Sequence, residues 1–186
     1  MNARTPTNVN RQRGLSLLEA LITIVILAFG ILGLATLQAK MQEAEVESYA
    51  RSQALVLLED MAARLSAHRS VAATYVTASP LGTGDAEPTD CSATALGVAR
   101  DTCEWSNALK GGSELAGSAR VGAMIGGRGC IEPLPGADPP SYRITVAWQG
   151  LSATVEPEVA CGQALYGANG LRRAVAKVVS IASLGP

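Results

Sequence analysis

Two groups of residues have types and spacings that could do chemistry. Gly14, Leu15 and Glu19 stand at the head of a long apolar run, and Cys91, Cys103, Cys130 and Cys161 all lie beyond it. Gly14 lacks a side chain, which leaves its backbone open to close approach by a peptidase. Glu19 is the single charge in the 23 residues from Leu15 to Leu37. A carboxylate deep in a bilayer costs roughly 3 kcal/mol, so an intramembrane acid is a functional candidate by default. The alternative places Glu19 near the interface, where the positive end of a helix lowers that cost.

The cysteines offer redox or metal chemistry. Their spacings are not the short pairs of a zinc site, and His68, the only histidine, is far from them in sequence. An even number in an exported part of a chain reads as two disulfides. Three connectivities are open, and the sequential one, Cys91 with Cys103 and Cys130 with Cys161, is favoured because short loops close most readily. Asp85, Glu87 and Asp90 lack the ligand pattern of a calcium loop and read as solvated acids.

The elements that must position these groups follow from charge and periodicity. Arg4, Arg11 and Arg13 precede Gly14 with no acid among them, which favours a cytoplasmic N-terminus and sends the rest outward. Leu15–Leu37 is long enough to span about 30 Å of hydrocarbon. A cleaved secretory signal with Gly33-Leu34-Ala35 as its cutting site is the competing reading. The run exceeds the roughly 7–15 residues of a signal core, and it contains Glu19. Gln38 to His68 has no Gly or Pro and continues the helix, with Leu55, Leu58, Met61, Ala62 and Leu65 at helical spacing. Leu15 to His68 as one helix is roughly 80 Å long, so its outer half needs a domain to lie on. Gly30 and Gly33 either weaken it locally or pack against lipid and other helices.

Beyond the helix, Ser70 to Asp90 reads as a loop, and Cys91 to Leu109 as one or two short helices. Ala119–Ile125 reads as a strand closed by a turn at Gly126-Gly127-Arg128-Gly129. Tyr142 to Trp148 alternates, with Tyr142, Ile144, Val146 and Trp148 on one face, and Arg172–Ser183 is the last strand. Leu151 to Tyr166 is mostly loop. A helix followed by consecutive strands predicts an α+β class, a long helix on a small antiparallel sheet. The domain plan is a leader at 1–14, a membrane half at 15–37, an outer helix half at 38–69 and a globular part at 70–186.

The basic leader, Gly14, Ser16-Leu17-Leu18, Glu19 and the apolar helix resemble the type IV prepilin class. The resemblance implies that a prepilin peptidase cuts between Gly14 and Leu15 and methylates the new N-terminus at Leu15. It also implies a role for Glu19 in recruiting the subunit into a fibre, by pairing with the terminal amine of a neighbour. An ammonium and a carboxylate buried together each lower the other's desolvation cost. Most members begin with phenylalanine where this chain has Leu15, and major pilins carry a proline at the position of Thr36. Arg51-Ser52-Gln53-Ala54, Asp101 with Glu104-Trp105 and Leu109, the Tyr142 to Trp148 strand, and Leu171-Arg172-Arg173 look like the PilV-type minor pilins.

The function this implies is assembly: a minor pilin anchored in the inner membrane with its head in the periplasm, then drawn into a pilus or its priming complex to support adhesion and twitching motility. Its partners would be the prepilin peptidase, other minor pilins and the major pilin, and the inner-membrane assembly platform. A minor pseudopilin of a type II secretion system shares the same signal and helix. The third alternative is a membrane-anchored periplasmic enzyme, which needs a nucleophile with a base or a metal set. His68 on a helix end and the acids Glu156 and Glu158 beside a proline are thin candidates, so no catalysis and no cofactor are expected. Nucleic acid is not expected as a partner either. Net charge is −1 overall, and without the three leader arginines 12 basic side chains face 16 acidic ones, or −4.

Overall fold

The computed structural model describes residues 17–112, 115–116, 119–120, 124–167 and 170–182. Gly14 and Leu15 therefore lie outside the described residues. The chain divides into two compact units, Met1–Gln42 and Glu43–Pro186.

Helix α1 spans Leu17–Ala67. In the first unit its apolar side chains are exposed on every face, Leu17, Ile24, Phe29 and Leu34 among them. It is long and apolar enough to cross a membrane. The hydroxyls in this run are satisfied within the helix: Thr23 donates to the Ala20 carbonyl at 2.8 Å and Thr36 to that of Leu32 at 3.0 Å. No polar side chain of these two therefore needs a partner in hydrocarbon. The helix continues through Gly30 and Gly33, and a Cβ at either would meet nothing within 4 Å.

The second unit is α+β. Ala54, Leu58, Met61, Ala62 and Leu65 form the buried stripe of α1, at the spacing of one helical face. Leu55 is off this stripe and 45% exposed, contrary to its place in the expected face. The loop expected from Ser70 to Asp90 instead begins with 3₁₀ turns at Arg69–Tyr75, which bury Ala72 and Tyr75, and contains strand β1, Leu81–Gly82. Between Cys91 and Leu109 one helix forms, α2 at Val98–Leu109, after turns at 91–97, and it buries Cys103, Trp105, Ser106 and Leu109.

The strand expected at Ala119–Ile125 is shorter. Leu115–Ala116 (β2) and Ala119–Arg120 (β3) pair as a small separate antiparallel sheet, while Ile125 lies in a turn. Residues 121–123 lie outside the described residues. The glycine cluster also departs from expectation, because Arg128 and Gly129 open a strand, β4 at Arg128–Pro133. Strand β5 is Ser141–Gln149 and β6 is Arg172–Ser180. The sheet order is β1-β4-β5-β6, antiparallel throughout, with β4, β5 and β6 in continuous register.

Tyr142, Ile144, Val146 and Trp148 do share one face, and that face meets the α1 stripe, Tyr75, Trp105, Leu109 and Ile131 in the main core. A second, smaller cluster of Cys130, Ala147, Cys161 and Tyr166 lies on the opposite face. The long loop after β5 covers it. Arg172, only 4% exposed, donates to the carbonyls of Cys161 at 3.0 Å and Pro157 at 2.7 Å and pairs with Glu156 at 3.4 Å. A buried guanidinium has its donors met by loop carbonyls, which replaces the water it gives up.

Candidate assembly site

Glu19 lies in the first turn of α1 and is exposed, with Leu17, Leu18, Leu21 and Ile22 exposed around it. Nothing in the described residues pairs with its carboxylate. A carboxylate there favours the positive end of the helix, yet in hydrocarbon or in a helix bundle it still needs a cation. The described part of the first unit thus presents an apolar helical surface with one acidic group, Glu19, in its first described turn.

In the second unit, ionic contacts fix the head on its own stretch of α1. Arg173 donates to Glu47 at 3.1 Å, and the Leu151 N–H donates to the same carboxylate at 2.9 Å. Burial works to raise the Glu47 pKa, but the Leu151 N–H and the Arg173 guanidinium outweigh it and hold it below the usual range. Three turns further along, Lys177 pairs with Glu59. At the C-terminal end of α1, Arg64 binds Asp60 at 3.0 Å, Asp101 at 2.9 Å and Glu104 at 2.8 Å. Partial burial alone would lower the Arg64 pKa. The three carboxylates, Glu104 foremost, raise it instead.

Asp101 also accepts from the Tyr75 hydroxyl. Burial, and then this bond to an anion, push the Tyr75 pKa up. His68 Nδ1 lies 2.9 Å from the Tyr75 oxygen and 3.3 Å from Asp101. His68, read from the sequence as a helix-end residue, is thus tied into the network that joins α1 to α2. Asp101, Glu104, Trp105 and Leu109, singled out by the resemblance, act here as structure. The two acids hold Arg64, and Leu109 and Trp105 fill the core. The Trp105 indole also donates to the Leu57 carbonyl on α1 at 2.9 Å. Trp148, by contrast, is buried with its Nε1 unpartnered.

Both cysteine pairs are joined, Cys91 with Cys103 and Cys130 with Cys161, with Cα atoms 5.9 and 5.8 Å apart. The first anchors the turn before α2 to that helix, and the second ties the long loop to β4. Tyr166 in that loop donates to the Gly126 carbonyl at 2.9 Å and lies under the Arg128 guanidinium, 4.9 Å from the ring centre. Asp85 is occupied as well: it pairs with Lys110 and accepts from the Gly82 N–H and the Ser106 hydroxyl, both at 2.7 Å. Burial pushes its pKa up, but these donors, Lys110 first, bring it below the ordinary value. Glu156 is taken by Arg172. Among the described residues no group of three or more His, Cys, Asp or Glu side chains could hold a metal ion.

The sequence profile of the prokaryotic N-terminal methylation motif matches residues 9–35. This stretch contains Gly14, Leu15 and Glu19 and most of the apolar run. No curated protein and no solved structure matches the chain. The motif supports a type IV pilin-like prepilin signal, and with it a type IV pilin or pseudopilin.

Proposed function

We propose that the chain is a minor pilin of a type IV pilus, cut after Gly14 by a prepilin peptidase, methylated on Leu15, and assembled into the fibre or its priming complex. The observation that carries this reading is the methylation motif on an exposed apolar helix that ends in a disulfide-bonded α+β head. The apolar run anchors the subunit in the inner membrane with the head in the periplasm. Basic residues before Gly14 favour that orientation, and the disulfides fit an oxidising compartment.

The assembly step follows from the cost of an unpaired charge. In the membrane Glu19 is expensive, and in a bundle of like helices the new N-terminal ammonium of a neighbour can meet it. The peptidase, other minor pilins, the major pilin and the inner-membrane platform are the partners of this mechanism. It needs no catalytic group and no cofactor. A type II secretion pseudopilin shares the signal and the helix, and the operon in which the gene lies distinguishes the two. Adhesion and twitching motility are the expected outputs of the pilus reading.

The test is the intact mass and N-terminal sequence of the membrane-bound chain, with and without an active prepilin peptidase. An N-methylated Leu15 that appears only with the enzyme supports the proposal. A retained Met1, or a start near Thr36, overturns it.

A further inference from the structure

Strand β6 is an edge of the sheet, nine residues long, bonded only to β5. The phase of its ladder is set by the Gly150 N–H on the Leu171 carbonyl and the Ile181 N–H on the Pro140 carbonyl, both 2.8 Å. Odd-numbered residues of β6 therefore face β5. The N–H and C=O groups of Arg172, Ala174, Ala176, Val178 and Ser180 point the other way, and none of them pairs with another described residue. The opposite edge, β1, is only two residues long. Native sheets commonly protect a long edge with a bulge, a proline or a covering segment. β6 has no bulge or proline and no described segment pairs along it; its charged residues Arg173 and Lys177, which can also protect an edge, are taken up by Glu47 and Glu59.

Along this edge two clefts open between β6 and α1, one of about 390 Å³ reaching Glu47, Arg51 and Trp148, the other of about 250 Å³ reaching Glu59 and Ala63. Arg173 and Lys177 are neutralised by Glu47 and Glu59. Arg51 is exposed with no carboxylate of the described residues within ion-pair distance, and the unpartnered Trp148 Nε1 belongs to a residue lining the same cleft. We propose that the β6 edge is a docking site for an extended segment of a different protein, added as a fifth strand. Its backbone would bond the five outward residues, and an acidic side chain would enter the cleft beside Arg51.

A second copy of this chain does not fit. Arg173 meets Glu47 and Lys177 meets Glu59, so β6 and α1 run in the same direction. Antiparallel pairing of two β6 edges would bring to the cleft a strand that carries Arg172, Arg173 and Lys177 and no acid, so no carboxylate would reach Arg51. Parallel pairing needs an odd register offset, which an exact twofold does not give.

The test uses the full-length chain in detergent micelles and a synthetic nine-residue peptide of alternating valine and threonine with one glutamate. Two further versions carry N-methyl groups on alternate amides, one version for each edge of the peptide strand. The expected result is saturable binding, lost at least about 10-fold with one methylated version and kept with the other, as one-edged strand addition requires. Amide exchange at Ala174, Ala176 and Val178 should slow about 10-fold or more on binding. Ala176→Pro removes an outward N–H without touching the β5 ladder and should abolish binding. Arg51→Glu should weaken it, with recovery when the peptide glutamate becomes lysine.

No binding up to about 1 mM, equal binding of both methylated peptides, or protection elsewhere than β6 overturns the proposal; the methylated pair decides it even if Ala176→Pro misfolds. Self-association of the free chain that Ala176→Pro abolishes would put a second copy on the edge, and so also overturns it. The assay is blind to the state of the N-terminus, so its failure is separable from failure of the prepilin test.

Discussion

Replacing Gly129 by alanine tests the core where sequence alone gave least warning. A Cβ there would sit 2.2, 2.5 and 2.8 Å from the outer ring atoms of Trp105, far inside van der Waals contact. Trp105 is fully buried, and its indole N–H is held at 2.9 Å by the Leu57 carbonyl of α1. The ring can yield only by giving up that bond or by pushing β4 away from α2. Overpacking of a tight core costs about 1–3 kcal/mol, and a lost hydrogen bond adds about 1 kcal/mol. Gly129→Ala should therefore cost about 2–4 kcal/mol in denaturant unfolding of the oxidised full-length chain in detergent. Near-ultraviolet circular dichroism would follow the tryptophan environment. Trp105→Phe removes the clashing outer atoms, so Gly129→Ala should cost much less in that background. A cost under about 0.5 kcal/mol for Gly129→Ala alone, or additivity within about 0.5 kcal/mol in the cycle, would refute the reasoning.

Four other expectations have direct measurements. Breaking the Cys130 to Cys161 bridge by paired serine substitution should cost about 4 kcal/mol, against about 3 kcal/mol for Cys91 to Cys103, because the closed loop is 31 rather than 12 residues; equilibrium unfolding of the two variants compares them. Asp85 has a folded pKa below its ordinary 3.8, so its contribution is whole above that pH and is lost as pH falls through the folded value. Asp85→Asn should lower stability at neutral pH and flatten the loss below about pH 4, measured as unfolding midpoint against pH. Gly14→Phe should leave the chain uncut on immunoblots of membranes, and normal trimming would contradict the cleavage site. Glu19→Ala should be processed nearly as wild type yet be depleted about 10-fold from sheared fibres, and unchanged amounts would contradict its role in assembly.

How much could be read in the sequence depended on whether a segment's period matched its environment. α1 and β5 were legible because Leu58, Met61 and Leu65, and Tyr142, Ile144, Val146 and Trp148, repeat at 3.6 and 2 residues against one core. β4 was hidden because its first residues are Arg128 and Gly129, and Gly129 is there for the closeness of Trp105, not for a turn. The turns at Arg69–Tyr75 were hidden because the stretch is short and mostly small residues, and its one large buried side chain, Tyr75, is held by contacts distant in sequence. The same limit applies to the site. Glu19 stands out as a lone charge in an apolar run, whereas the network of Arg64, Asp101, Glu104, His68 and Tyr75 joins residues up to 40 apart and leaves no local pattern. A pair of acids three apart on α2, Asp101 and Glu104, was the available hint, since that spacing places both on one helical face.

Helix α1 is asked to satisfy two solvents, and its composition divides accordingly. From Glu43 onward one stripe is buried by the head's own sheet and the other faces carry Glu45, Ser52 and Glu59, which water solvates well. Before Gln42 the exposed surface from Leu17 to Leu37 is apolar apart from Glu19, Thr23 and Thr36, and water cannot solvate it cheaply. Lipid and a bundle of similar helices are the two environments that can. They are nearly equal for the leucines and isoleucines, because hydrocarbon is as apolar as a neighbouring side chain. They are unequal for Glu19, which is costly in lipid and can be paired in a bundle. On the proposed assembly role, the apolar residues hold the subunit in either place and the single carboxylate sets the direction of transfer between them. Glu19→Gln should then retain membrane anchoring while losing the bias toward the fibre, and fractionation of membranes against sheared fibres reads the two separately.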